Sequence, residues 1–215
     1  METKLTVCEI FRSIQGEGTR AGLPCTLVRL AGCNLRCSWC DTTYAWQGGR
    51  ETTLEDILQQ VDRLGCRRVE VTGGEPLIQP GTPELLRELC DRGYETLLET
   101  NGSIDVSGMD PRVIRIVDFK CPSSGQSEHN RWENVEHLSP GDEVKFVIAD
   151  RADYDFARAA LVDRGLVGRC TVLLGPVAGR LPPATLAEWM LTDGLDVRLN
   201  LQLHKILWPE KDRGV

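Results

Sequence analysis

Apolar residues along this chain fall into two alternating rhythms. Short runs rich in Val, Ile and Leu, interleaved with polar residues, read as strands: KLTVCEIFR (4–12), CTLVRLAG (25–32), RRVEVTGG (67–74), YETLLETNG (94–102), VIRIVDFK (113–120), DEVKFVIA (142–149), CTVLLG (170–175) and DVRLNLQLHK (196–205). Between several of them the apolar spacing lengthens to that of an amphipathic helix. TTLEDILQQVDRLG (52–65) places Leu54, Ile57, Leu58 and Val61 on one face, with Thr53 as N-cap and Gly65 as stop. TPELLRELCDRG (82–93), with Pro83 near its start and Gly93 after its end, RADYDFARAALVDRG (151–165) and LPPATLAEWMLTDG (181–194) are the other helices. The first two strands are joined instead by the glycine-rich SIQGEGTRAGLP (13–24).

Strands alternating with helical stretches predict right-handed βαβ units and a parallel sheet. With 215 residues, only about six strand–helix steps fit, so an incomplete (β/α)6 barrel is expected in place of a closed eight-stranded one. No linker or low-complexity tract divides the chain, and residues 1–215 are expected to form one domain with an N-terminal loop and a short C-terminal tail. Residues with chemical potential fall just after strands: the cysteines after 25–32, then TGGEP (72–76), ETNGS (99–103), KCPSSG (120–125), LGPV (174–177) and QLHK (202–205). In parallel sheets and barrels the carboxyl ends of strands form one rim, and these segments should converge there.

Charge narrows the partners. A net charge of -7 without a Lys/Arg block argues against a nucleic-acid surface and for a small-molecule substrate. No apolar run is long enough to span a bilayer, and the N-terminus lacks a basic segment followed by an apolar one, so a cytoplasmic location is expected.

Of the nine cysteines, Cys8, Cys25, Cys66, Cys90, Cys121 and Cys170 are scattered singly, which suits small buried hydrophobes and not a disulfide framework. Cys33, Cys37 and Cys40 are clustered in RLAGCNLRCSWCDTTYAW (29–46). A structural zinc would need a fourth protein ligand, from a distant Cys or from His129, His137 or His204, and no second CxxC or HxxxH follows. An iron–sulfur cubane held by three cysteines would leave one iron open to an exogenous ligand.

CNLRCSWC followed by TGGEP resembles the radical S-adenosylmethionine superfamily, and EIFRSIQGEG (9–18) ahead of it, with ETNGS, KCPSSG, DEVKFVI and NLQLHK in order, resembles the 7-carboxy-7-deazaguanine synthase family over nearly the whole chain. The resemblance implies a modified radical SAM partial barrel and a homodimer. It also implies a [4Fe-4S] cluster on Cys33, Cys37 and Cys40, with the amino and carboxylate groups of S-adenosyl-L-methionine as the missing ligand. Trp39, Cys40, Asp41, Gly74, Glu75, Ser123 and Ser124 are then the cofactor-binding candidates, and Thr42 a ligand of Mg2+, which takes oxygen donors. The implied reaction is ring contraction of 6-carboxy-5,6,7,8-tetrahydropterin with loss of ammonia, driven by an electron donor such as flavodoxin or ferredoxin, in 7-deazapurine (queuosine) biosynthesis.

For such a pterin, Ile14, Gln15, Gly16 and Glu17 supply the mixed donors and acceptors its heterocyclic edge requires, and Thr72 reaches the substrate. Arg29 offers a planar fork to its carboxylate, with His204 as a second candidate. Plainer readings stand beside these: a glycine-rich hairpin loop for 14–17, a half-buried ion pair for Arg29, a packed histidine, a serine-rich turn at 123–124. Two rival functions remain open. An activase that makes a glycyl radical on a partner protein shares the cysteine spacing but gives no reason for SIQGEG or Arg29; a nonenzymatic metal module leaves TGGEP unexplained.

Overall fold

The computed structural model describes residues 2–215. Nine strands form one sheet in the order β3-β1-β2-β4-β5-β6-β7-β8-β9. They are β1 Lys4–Ile14, β2 Pro24–Leu30, β3 Arg50–Thr53, β4 Arg68–Gly73, β5 Glu95–Thr100, β6 Ile114–Asp118, β7 Glu143–Ile148, β8 Thr171–Pro176 and β9 Arg198–Leu199. From β2 to β9 every pairing is parallel, while β1 runs antiparallel to both β2 and β3. The sheet does not close; β3 and β9 are its edges. Six full parallel strands and a two-residue stub make the incomplete barrel that the chain length allows.

Four of the helices are those the periodicity predicts: α1 Leu54–Leu64, α2 Thr82–Asp91, α3 Arg151–Asp163 and α4 Pro183–Thr192. Thr53 caps α1 by accepting a hydrogen bond from the Asp56 backbone at 3.1 Å, and Gly65 ends it in the left-handed conformation at φ 64°. Helices α1 and α2 bury Ile57, Leu58, Val61, Leu85, Leu86 and Leu89 against β1, β2 and β4. Helices α3 and α4 pack a second cluster, around Phe119, Phe146 and Tyr154, against β6–β8. The outside of the curved sheet is thereby sealed, and the inside keeps its charged residues.

Three features differ from expectation. Strand β3, RETT, has no apolar alternation to reveal it; it is an edge strand recruited by pairing Lys4 with Thr53 and Val7 with Arg50. Between β5 and β6, and between β6 and β7, the connections are loops and short 3-10 turns without an α-helix. The strand expected over 196–205 pairs only at Arg198 and Leu199. Beyond it the Leu203 backbone N–H donates to Gly16 O at 2.9 Å, the chain turns inward, and a short helix α5, Leu203–Leu207, carries His204.

Candidate active site

Because side chains of a strand alternate between faces, Glu70 and Thr72 of β4 share the inner face. They lie in register with Leu27 and Arg29 of β2. Glu99, Asp118 and Lys145 continue this face on β5, β6 and β7, with Asp118 opposite Lys145. These residues line a cavity of ≈ 370 Å³ that is also bounded by Ile14–Gly18, by the three clustered cysteines, and by α5 with the tail after it.

The glycine-rich loop is held in place from several sides. A Cβ on Gly16 would overlap the His204 ring, so the backbone itself packs on α5. Glu17 Oε2 accepts from Asn200 Nδ2 at 2.9 Å and Lys145 Nζ at 3.1 Å, and its Oε1 accepts from Gln202 Nε2 at 2.9 Å. Although burial opposes ionisation, the Lys145 ammonium and these donors hold the Glu17 carboxyl below the usual range. Lys145 also pairs with Glu99 and, at 3.6 Å, with Asp118, whose Oδ2 takes Lys120 Nζ at 2.9 Å. Burial works against the charge of Lys145, but Glu17, Glu99 and Asp118 together raise its pKa well above that of a free lysine. Burial lowers the His204 pKa, which keeps the imidazole neutral near pH 7.

Arg29 makes the half-buried ion pair of its plainer reading and also borders the cavity. Its Nε donates to Glu9 Oε1 at 2.8 Å, and the Tyr44 hydroxyl donates to the same oxygen at 2.8 Å. The guanidinium lies 5.9 Å from the rings of both Phe11 and Tyr44, and Arg213 of the tail covers Tyr44 at 4.2 Å. Among the described residues its two Nη groups have no hydrogen-bond partner, and the side chain borders the cavity.

Cys33, Cys37, Cys40, Trp39, Asp41 and Thr42 form another part of the cavity wall. Burial raises the Cys33 and Cys37 thiols, and Lys120 acts in the other direction. The Thr42 hydroxyl donates to Asp41 Oδ1 at 3.0 Å, and Asp41 Oδ2 pairs with Lys205 Nζ at 2.5 Å. Burial acts against the Asp41 charge, yet Lys205 and these hydrogen bonds hold the carboxyl far below the usual range.

Three candidates sit behind this wall and do not border the cavity. Glu75 is fully buried and accepts from Leu77 N at 3.0 Å, Asn101 N at 2.6 Å and Thr100 Oγ1 at 2.9 Å. Ser123 accepts from Trp39 Nε1 at 3.2 Å, and Ser124 O accepts from Ser38 N at 3.0 Å, so both hold the cysteine loop. Cys121 is also outside, its Sγ directed at Asp153 O.

The glycines of TGGEP have a structural reason of their own. A Cβ on Gly74 would lie 2.7 Å from Cys33 Cβ and overlap Gly32 O, and one on Gly73 would lie 2.7 Å from Leu30 N. Their bareness lets β4 dock directly on β2 and the cysteine loop. Gly74→Ala should therefore displace that loop, costing about 1–3 kcal/mol and lowering iron retention. Thermal melting and iron content per chain check this; wild-type values in both would show that the loop gives way freely.

Sequence reasoning missed Glu70, Glu99, Asp118, Lys145, Asn200 and Gln202. The available signal was a charged residue flanked on both sides by apolar strand residues, as Glu70 in RVEVTG and Lys145 in EVKFVI, since such residues are rarely buried unless paired.

The donor set tests which metal group fits. Among the described residues no three or more His, Cys, Asp or Glu converge tightly enough to hold a single ion, whereas a structural zinc site needs four such ligands and a catalytic one three. Three spaced thiols on one wall fit a multi-iron cluster, in which each thiolate takes its own iron.

Fold and donor set are those of the Radical SAM superfamily, which residues 27–118 match. The chain is 49% identical over 217 residues to the 7-carboxy-7-deazaguanine synthase of Chlorobaculum tepidum, covering 100% of this chain and 99% of that one. It is 42% identical to the enzyme of the same name from Koribacter versatilis, covering 98% of this chain and 100% of the other. The crystal structure of QueE from Escherichia coli superposes with a TM-score of 0.77 at 25% identity, covering 93% and 94% of the two chains. The chain belongs to the 7-carboxy-7-deazaguanine synthase family of radical SAM enzymes.

Proposed function

We propose that this protein converts 6-carboxy-5,6,7,8-tetrahydropterin to 7-carboxy-7-deazaguanine with loss of ammonia, as a lyase of queuosine biosynthesis. The observation that carries the reading is the convergence of Ile14–Glu17 and Cys33–Cys40 on one cavity. It is supported by full-length similarity to the named relatives.

Cys33, Cys37 and Cys40 would hold a [4Fe-4S] cluster, and Trp39, Asp41 and Gly74 would border S-adenosyl-L-methionine, with Glu75, Ser123 and Ser124 stiffening that wall. When bound, these groups supply the one-electron chemistry that removes a hydrogen atom from the substrate. The chain's own part is binding, orientation and exclusion of water. The free Nη groups of Arg29 suit a bidentate grip on the pterin carboxylate, and neutral His204 adds a hydrogen bond without a competing charge. Gln15, the Gly16 backbone and Glu17 face the heterocycle. Thr72 donates to Glu99 at 3.1 Å, which leaves its oxygen lone pairs for a substrate N–H. A Mg2+ ion on the Thr42 hydroxyl would complete its shell with substrate oxygens and water, beside the ionised Asp41. Trp208, Pro209 and Val215 of the tail border the cavity and would limit solvent entry.

The whole chain would act as one catalytic domain in a cytoplasmic homodimer, reduced by a donor such as flavodoxin or ferredoxin. The test is an anaerobic incubation of the reconstituted protein with the tetrahydropterin, S-adenosylmethionine, Mg2+ and a reductant, read by mass spectrometry. 7-Carboxy-7-deazaguanine is expected. Release of 5'-deoxyadenosine without it would reject the substrate, and absence of both despite an intact cluster would reject the enzyme class.

A further inference from the structure

Glu70 has no role in the chemistry above, although it is 3% exposed and borders the cavity. One carboxyl oxygen, Oε2, receives the Gln15 side-chain N–H. The other, Oε1, has no partner among the described residues, and it is not one of the atoms sealed from solvent. Among the described residues no cation pairs with Glu70: the nearby ammonium, Lys145, is engaged by Glu17, Glu99 and Asp118.

We propose that Glu70 is a substrate-recognition residue that acts as a neutral carboxylic acid, donating a hydrogen bond from Oε1 to an acceptor atom of the substrate's heterocycle. The inference rests on the pterin reading above. With Oε2 accepting from Gln15, the acid proton belongs on Oε1, the oxygen turned to the cavity. The cavity also needs such a donor. Glu17, Glu99 and Asp118 present acceptors, and Lys145 is spent on them, whereas a pterin edge carries a carbonyl oxygen and ring nitrogens that accept. A protonated carboxyl supplies a donor without adding charge next to a substrate that already brings a carboxylate to Arg29.

The surroundings favour this protonation state. Burial, then Glu99 on β5 and Glu17 in the loop, push the Glu70 pKa up to about 8, while Lys145 on β7 and Arg29 on β2 pull the other way. The neighbouring thiol, Cys25 on β2, is itself raised by burial and is neutral in this range. Ionised Glu70 would add a fourth carboxylate to the acidic side of the cavity and repel the substrate anion. If substrate binds only the protonated form, affinity is full below this pKa and is lost as pH rises through it.

The test is the dissociation constant of the tetrahydropterin for the reconstituted enzyme, measured by anaerobic calorimetry without reductant, alongside product formation. In the wild type Kd should rise about tenfold from about pH 7 to about pH 9, the value for one proton held on binding. Glu70→Gln keeps an acceptor for Gln15 and a donor toward the cavity but cannot ionise; its Kd should stay within about threefold of wild type near pH 7 and lose the alkaline rise. Glu70→Ala should weaken binding roughly tenfold to a hundredfold. An alkaline rise that persists in Glu70→Gln, or a wild-type Kd flat with pH, overturns the inference while product formation leaves the pterin reading standing. Absence of product from the wild type overturns both.

Discussion

Cys37→Ala should yield a folded chain that holds no stable [4Fe-4S] cluster and makes no detectable product. The Cys37 thiol makes no hydrogen bond among the described residues and is only partly buried, so the protein itself loses little when it goes. The cluster loop keeps its other ties, among them Ser38 Oγ to Ser123 O at 2.8 Å and Trp39 Nε1 to Ser123 Oγ at 3.2 Å. The cubane, by contrast, has only three protein ligands to begin with, and two thiolates leave half of its irons without one. Iron and sulfide per chain after anaerobic reconstitution, together with 5'-deoxyadenosine release, should both fall to background while the far-ultraviolet circular dichroism stays unchanged. Cys66→Ala is the control: Cys66 is 4% exposed and does not line the cavity, so the variant should lose about 1 kcal/mol of stability and none of its iron. Full iron content in Cys37→Ala would remove that cysteine from the cluster.

The contrast between those two cysteines shows what could be read from sequence. Spacing separates a ligand from a buried thiol because thiols clustered in a short segment can reach one metal group together, whereas a core position needs only an apolar neighbourhood. Capping chemistry is similarly local, and Thr53 and Gly65 act where the pattern of α1 puts them. Long-range pairing is not local. Strand β3 owes its existence to a partner some fifty residues away, and the turn that brings His204 inward depends on Gly16 O, at the other end of the chain. Ser123, Ser124 and Glu75 were visible as polar residues in motifs, but their direction was not; the structure turns Ser123 and Ser124 toward the back of the cysteine loop and Glu75 toward Thr100 and Asn101. Gly74 stood out within TGGEP, but nothing local showed that its bareness and that of Gly73 admit the chain's own β2 and Cys33.

The same limit hid the residue whose loss should cost most stability. Lys145 is 5% exposed and neutralises a site where Glu17, Glu99 and Asp118 meet from three separate segments. Lys145→Met preserves the length of the apolar stem and removes the ammonium, leaving Glu17 and Glu99 without a cation among the described residues while Asp118 keeps Lys120 at 2.9 Å. Removing one partner of a buried ion pair costs about 3–5 kcal/mol, and here Glu17 and Glu99 both lose theirs. For a chain of this size that corresponds to a fall in Tm of roughly 10 °C. The pH dependence identifies the cause. In the wild type the Glu17 carboxyl is depressed by Lys145 against the pull of burial, so its contribution is present above the unfolded carboxylate pKa and is lost as pH falls through the folded value. In the variant the Glu17 carboxyl loses the Lys145 ammonium, so burial raises it and it gains its proton at higher pH, which relieves the repulsion. The Tm gap between the two proteins should therefore be widest near pH 7 and narrow toward about pH 5. Glu17 also carries the substrate loop through Asn200 and Gln202, so KM for the pterin should rise along with the stability loss. Differential scanning calorimetry across that pH range decides the matter. A gap that is constant with pH would mean that lost packing, and not stranded charge, explains the destabilisation.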